Sequence, residues 1–163
     1  MTEWRVLSNP ELVELVGRLR TLEWSWRLAD AAQLATEFGW EIERSRPNWV
    51  VLDIGFGSSS GEISGDNGVA TEIVLEVTGS TTDDAAGRSR SRAAFTEMTA
   101  ALTAEFGAPT TRVPGATPEV RWAGTTTTAV LRDLGMSVVV RLVTNEKLAI
   151  EDEIEELDEE ELL

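Results

Sequence analysis

Three short alternating segments near the C-terminal end constrain the fold of this chain more than any other feature. Residues 119 to 123, 126 to 133 and 136 to 143 are joined by two-residue links that contain Gly124 and Gly135. A link this short closes a hairpin, whereas two parallel strands need a crossover of about a dozen residues or more. The segments are therefore predicted to form an antiparallel meander. This prediction excludes a sheet built from alternating parallel strands and helices.

The rest of the chain is predicted to add helices and further strands to this meander. Apolar residues recur at helical spacing after Pro10, and Asp83 and Asp84 suit a helix N-terminus. The predicted fold class is α+β, an antiparallel sheet of about five to six strands with helices packed on one face. We predict helices over residues 9 to 22, 28 to 38 and 83 to 106, strands over 40 to 44, 49 to 56 and 70 to 78, and a flexible loop over the glycine-rich residues 55 to 68.

An acidic tail follows the predicted single domain of residues 1 to 145. Residues 151 to 163 carry nine carboxylates and no cation, so without them the formal charge of −15 falls to −6. Such a block repels itself unless water or a basic partner offsets the repulsion. We therefore assign tail carboxylates to partner binding: Glu151, Asp152, Glu153, Glu155 and Glu156.

The region from 146 to 163 is predicted to be a helix or a solubilising tail. Ile150, Ile154 and Leu157 fall at i, i+4 and i+7 and form a narrow apolar stripe. One expectation is that this stripe anchors a helix that displays its carboxylates outward, while residues 158 to 163 stay mobile. The alternative is a helix that frays after Leu157, because the following carboxylates repel one another near a helix C-terminus.

The composition excludes several kinds of chemistry. The chain has no cysteine, histidine or tyrosine, which removes thiolate nucleophiles and the commonest general base and metal ligand. We therefore expect no catalytic residue, no cofactor and no metal site. The net negative charge disfavours nucleic acid as a partner. No apolar run is long enough to span a membrane, so no membrane contact is expected. The first residues lack the features of a signal peptide. The expected location is cytoplasmic.

One glycine-rich motif resembles the first motif of S-adenosylmethionine-dependent methyltransferases. Asp53, Gly55 and Gly57 match its acidic residue and alternate glycines, and Glu76 falls at a plausible distance for a ribose contact. Ser59 replaces the third glycine, and residues 58 to 68 are too rich in Gly, Asp and Asn for the helix that this cofactor fold requires. The preferred interpretation is a core strand that leaves through a glycine-rich loop.

Two further groups of residues have alternative interpretations. Trp24 and Trp26 are either core residues or an exposed interface pair, and we assign them to partner binding together with Glu62 and Asp66. Arg88 and Arg92 lie one turn apart on the long helix. Three interpretations are open for these arginines: a solvated face that pairs with nearby aspartates, an anion or partner site, or a surface onto which the acidic tail folds back.

The framework resembles an uncharacterised family of small actinobacterial domains over about residues 3 to 145. The resemblance rests on Trp-Ser-Trp at 24 to 26, Glu-Phe-Gly-Trp at 37 to 40, Phe-Gly-Ala-Pro at 106 to 109 and Pro-Glu-Val-Arg-Trp at 118 to 122. Members of this kind look like immunity proteins of polymorphic toxins. These motifs are packing features, so the resemblance assigns no site residue.

The functional hypothesis is a non-enzymatic immunity or antitoxin protein that binds and blocks a cognate, basic toxin domain. As a monomer or homodimer, it would use its acidity to speed encounter with a basic surface. The first alternative is a secretion or folding chaperone that holds a segment of its partner. The second alternative is a methyltransferase-like enzyme.

Overall fold

A computed structural model describes residues 4 to 161, which form four α-helices and eight strands. The expected mixed α+β class and antiparallel sheet are confirmed. The helices are α1 (Asn9–Arg20), α2 (Ala31–Phe38, after a 3-10 turn at Leu28–Asp30), α3 (Ala85–Phe106) and α4 (Asn145–Glu161), and the strands are β1 (Glu41–Arg46), β2 (Trp49–Asp53), β3 (Gly61–Asp66), β4 (Val69–Glu76), β5 (Thr111–Val113), β6 (Glu119–Ala123), β7 (Thr127–Asp133) and β8 (Val138–Thr144).

All eight strands belong to one sheet with the order β1-β2-β3-β4-β8-β7-β6-β5. Two four-stranded antiparallel units, β1 to β4 and β5 to β8, therefore meet where β4 pairs with β8. Helix α3 connects the two units by crossing from β4 to β5. The predicted meander over β6, β7 and β8 is part of the second unit.

The prediction of five to six strands was wrong because β3 and β5 were missed. Strand β3 lies inside the segment predicted as a loop, since its Gly, Glu, Ser and Asp residues have low strand propensity. It forms nevertheless because β2 and β4 supply hydrogen-bonding partners on both sides. Strand β5 has three residues and pairs only with β6, so it leaves almost no pattern in the sequence.

Helices lie on both faces of the sheet, which corrects the expectation of one covered face. On the first face, α1, α2 and α3 form the main core with inward-facing strand residues such as Ile73 and Leu142. On the second face, Leu148 of α4 packs with Val130 and Val143 in a separate small cluster. None of the helices between Trp4 and Glu161 has both the length and the apolar character needed to cross a bilayer.

Local signals place the helix ends close to the predicted positions. Ser8 and Glu11 form a reciprocal capping box at the start of α1. Asp84 caps α3 by accepting a hydrogen bond of 2.8 Å from the backbone N–H of Gly87. Gly39 ends α2 with φ of 74°, a left-handed conformation that glycine adopts without steric cost.

Replacing Gly87 with alanine is expected to destabilise the fold. A Cβ at Gly87 would lie 1.8 Å from the carbonyl oxygen of Thr82, so the first turn of α3 would have to shift. We expect a loss of about 1–3 kcal/mol in the free energy of unfolding, measured with chemical denaturant. The matched control is Gly17→Ala in α1, where the added Cβ would meet only Phe106 at 3.7 Å. That change should be neutral or stabilising, because alanine favours helix. Equal stability of the two variants would contradict the close packing at Gly87.

Candidate functional site

The candidate site is an ionic groove between α4 and the second face of the sheet. In register, Arg121 of β6 and Arg141 of β8 flank Val130 of β7, so the three side chains form one row across neighbouring strands. Helix α4 begins directly after β8 and lies over this row, with Leu148 packed on Val130. The two arginines then lie on either side of the apolar contact.

Arg121 binds α4 through a bidentate ion pair. Its two terminal nitrogens donate to the two carboxylate oxygens of Asp152 at 2.8 and 2.9 Å. Its Nε donates to Oε2 of Glu119, two residues earlier on β6, at 2.6 Å. The Arg121 side chain is only 12% exposed. The guanidinium is therefore held in one orientation by a sheet carboxylate and a helix carboxylate.

Arg141 of β8 binds the same helix from the other side of Val130. Its Nε donates to Glu72 of β4 at 2.9 Å, and one terminal nitrogen donates to both Glu72 and Glu151. The distances from this nitrogen to the Glu151 oxygens are 3.0 and 3.2 Å. Because Glu72 comes from the first four strands and Arg141 from the last four, this pair also ties the two units together.

The open part of the groove has a volume of about 610 Å³. Arg132 lies there with one terminal nitrogen 3.0 Å from Oγ1 of Thr117 and the other 3.9 Å from Oε1 of Glu119. Its Nε is buried and has no hydrogen-bond partner among the described residues. Glu155 also lines the groove, so three arginines face five carboxylates and the lining is negative overall.

The pKa values of Arg121, Arg141 and Asp152 are each shifted in the direction that favours the charged form. Hydrogen bonds to Asp152, together with those to Glu119, raise the pKa of Arg121 despite partial burial. Burial lowers the pKa of Arg141, but its hydrogen bonds to Glu72 and Glu151 outweigh burial and the net shift is upward. The hydrogen bonds from Arg121 lower the pKa of Asp152. The pairs are therefore suited to holding an element in place rather than to carrying protons.

The apolar stripe of Ile150, Ile154 and Leu157 does not anchor α4, which corrects the sequence-based expectation. These side chains are 48%, 54% and 55% exposed. A helix turns once in about 3.6 residues, so the stripe falls on the side opposite Leu148. The helix also continues past Leu157 to Glu161 rather than ending there. Leu162 and Leu163, the last residues of the predicted mobile segment, lie outside the described residues.

The structure separates the five predicted tail residues. Glu151 and Asp152 are engaged by the arginines of the sheet. Glu155 lines the groove, whereas Glu153 and Glu156 are exposed. The sequence offered one signal for the inner face: Leu148, Glu151 and Asp152 are spaced i, i+3 and i+4. The sequence analysis missed the three arginines of the groove, Arg121, Arg132 and Arg141. An isolated arginine in a strand that alternates polar and apolar residues is typical of a solvent-exposed sheet face.

The other predicted partner residues lie apart from α4. Trp24 and Trp26 are half-buried against the main core, with ring centroids 5.5 Å apart. Asp66 is exposed at the end of β3. Glu62 shares the second sheet face with the groove, because Val74 pairs with both Glu62 and Arg141. Its carboxylate accepts a hydrogen bond of 3.2 Å from the exposed Trp49 indole.

The tail does not fold back onto the arginines of α3. Arg92 donates from Nε to Asp133 at 2.8 Å, and Arg88 lies 3.8 Å from Asp83. Helix α3 packs on the first sheet face, whereas α4 lies on the second. The interpretation that placed the tail at Arg88 and Arg92 was therefore wrong.

The methyltransferase-like motif forms a turn between two antiparallel strands. The side chain of Asp53 accepts a hydrogen bond of 2.8 Å from the backbone N–H of Gly55. Gly55 and Gly57 have φ of 106° and 103°, which only glycine adopts readily. The next element is β3, which pairs with β2. Within residues 4 to 161, no three carboxylates converge in a way that suits a metal ion.

Comparison with known families gives one match. The model of a family of unknown function, DUF6301, matches residues 10–144. The match begins in α1 and ends with the last residue of β8, so α4 lies beyond it. Neither a curated protein nor a solved structure matches the chain significantly.

Replacing Asp152 with asparagine is expected to loosen α4 without unfolding the sheet. The change removes the charge that Arg121 binds at two points, although Glu119 still pairs with that arginine. Since Asp152 is partly exposed, we expect a loss of about 0.5–1.5 kcal/mol in the local stability of α4. Amide hydrogen exchange over residues 148 to 158 measures it. The matched control is Glu153→Gln on the exposed side, and equal exchange in both variants would argue against the ion pair.

The attachment of α4 is also expected to weaken in acid. The pKa of Asp152 is lower in the folded protein than its ordinary value of 3.8, so the pair contributes stability above that value. This contribution is lost as the pH falls through the folded pKa. The protection factor of the α4 amides, which corrects for the intrinsic pH dependence of exchange, should therefore hardly change between about pH 7 and about pH 5 and should fall below pH 3.8. In the Asp152→Asn variant this pH-dependent step should shrink, and an undiminished step would assign it to other carboxylates.

Proposed function

The chain belongs to the DUF6301 family of unknown function, and on that premise we propose that it is a non-enzymatic immunity or antitoxin protein that binds and blocks a basic toxin domain. Three features support a binding role for the protein: its net negative charge, the ionic groove, and the exposed face of α4. In this proposal the protein covers the active surface of its partner and itself changes no substrate.

The proposal rests on one observation: the ionic groove fixes which side of α4 faces the sheet and which side faces outward. Two arginines bind the inner carboxylates Glu151 and Asp152, so the helix has a defined orientation on the sheet. Other carboxylates of α4 are exposed and make no ion pair with a described residue, among them Glu153, Glu156 and Glu160. An ordered acidic helix concentrates negative potential on one side of the molecule, which speeds encounter with a basic surface.

A chaperone-like binding protein is the alternative that a separate observation favours. Among residues 4 to 161, the helix on the second sheet face packs on β7 and β8 rather than on β1 to β3. Trp49 of β2 is 40% exposed on that face beside Glu62. Such a face suits a partner segment that lies along the strands. The two functions differ in outcome, because an immunity protein abolishes toxicity whereas a chaperone leaves the activity of its client intact.

The proposed function is tested with the protein encoded by the neighbouring gene. We expect a stable complex, inhibition of that protein's toxic activity, and an association rate that falls steeply as salt is raised. The variant Glu153→Gln/Glu156→Gln/Glu160→Gln should slow association about 3–10-fold. Glu97→Gln/Glu105→Gln, which removes exposed charges of α3 on the other sheet face, should have little effect.

The outcomes separate the candidate functions. A purified neighbour that forms no complex would overturn the immunity proposal. A complex that leaves the neighbour's activity intact would favour the chaperone alternative. Binding of S-adenosylmethionine in calorimetry would favour the methyltransferase-like alternative.

A further inference from the structure

We propose that the outer face of α4 is a docking surface for a basic amphipathic helix, with the apolar stripe of Ile150, Ile154 and Leu157 as its contact line. The inference rests on the proposed function and deepens it by naming the partner's chemistry. It concerns the side of α4 that faces away from the ionic groove.

The stripe is unusual because three large aliphatic side chains are about half exposed on one helix. Their i, i+4, i+7 spacing is the pattern by which amphipathic helices contact one another or a groove. The sheet cannot cover them, since Leu148 and the pairs of Glu151 and Asp152 hold the opposite side of the helix against it. The stripe is therefore available to a partner without any rearrangement of α4.

The charges beside the stripe decide which partner fits. Glu146, Glu153 and Glu160 recur every seven residues, which is nearly two turns, so they form an acidic line next to the stripe. Lys147 is the single cation of α4. A partner that covers the apolar stripe must also lie beside this acidic line. The best fit is therefore a segment that carries Lys or Arg beside its own apolar residues.

A second copy of the chain is disfavoured as the occupant by the same charges. Two acidic helices packed along their stripes would bring carboxylates of like charge together, which costs free energy at short distance. A basic helix has the opposite effect, because its cations meet the acidic line while its apolar residues cover the stripe. This is the form of recognition in which apolar anchors supply affinity and charges supply orientation.

The test uses a synthetic peptide of about 18 leucines and lysines patterned as one apolar stripe on a basic helix. The control peptide has the same composition in a scrambled order that destroys the stripe. Calorimetry with the full chain should detect the patterned peptide at low salt, with affinity that falls as salt is raised. The scrambled peptide should bind at least 10-fold more weakly.

Two sets of variants assign the contact to the stripe. Ile150→Ala/Ile154→Ala/Leu157→Ala keeps good helix formers at exposed positions, and circular dichroism checks that the helix persists. This variant should lose at least 10-fold in affinity for the patterned peptide. The matched control is Leu134→Ala/Met136→Ala, which removes exposed apolar side chains in the β7–β8 turn and should leave the affinity unchanged.

Failure of this inference is distinguishable from failure of the proposed function. Equal binding of both peptides, or unchanged affinity after the triple alanine substitution, would overturn the docking surface. So would self-association of the wild-type chain that the triple substitution abolishes, because the occupant would then be a second copy. A stripe-dependent peptide complex with no complex of the neighbouring gene product would support the docking surface and overturn the immunity proposal.

Discussion

The pairing of β4 with β8 is the interaction on which the rest of the structure depends. These strands are far apart in sequence, and their antiparallel ladder joins two four-stranded units into one sheet. The continuous first face gives α1, α2 and α3 a single core to cover. On the second face the same ladder places Glu72 beside Arg141. The pair of Glu72 and Arg141 in the ionic groove therefore exists only because both halves of the chain pair correctly.

The ionic groove explains how so acidic a helix can be ordered. Carboxylates along α4 repel one another, and Leu148 alone provides a small buried contact. Arg121 and Arg141 offset part of this repulsion and also fix which side of the helix faces the sheet. The two guanidinium groups are largely buried, so their desolvation offsets much of the stability that the pairs contribute. An incorrect rotation of the helix would leave each buried guanidinium group without its partner on α4. Their main effect is specificity of orientation.

Orientation in turn separates the roles of the acidic residues. Glu151 and Asp152 pair with arginines of the sheet and hold the helix, whereas Glu153 and Glu156 are exposed to solvent. The net charge of the tail treats these residues as equivalent, so the sequence alone predicts that Glu151, Asp152, Glu153 and Glu156 all bind a partner. The apolar stripe was assigned to the interior for a similar reason, because an apolar line on a helix usually faces a core. Here the single Leu148 occupies that position and the stripe faces outward.

Local sequence determined much of this protein, and tertiary contacts decided the rest. Short links at Gly124 and Gly135 permit only antiparallel neighbours, and helical periodicity with the caps at Ser8 and Asp84 placed the helices. Strand β3 needed both neighbours to form, because its own residues have little preference for a strand. The inner face of α4 was decided by arginines on β6 and β8, since no local pattern records which distant side chains lie beneath a helix.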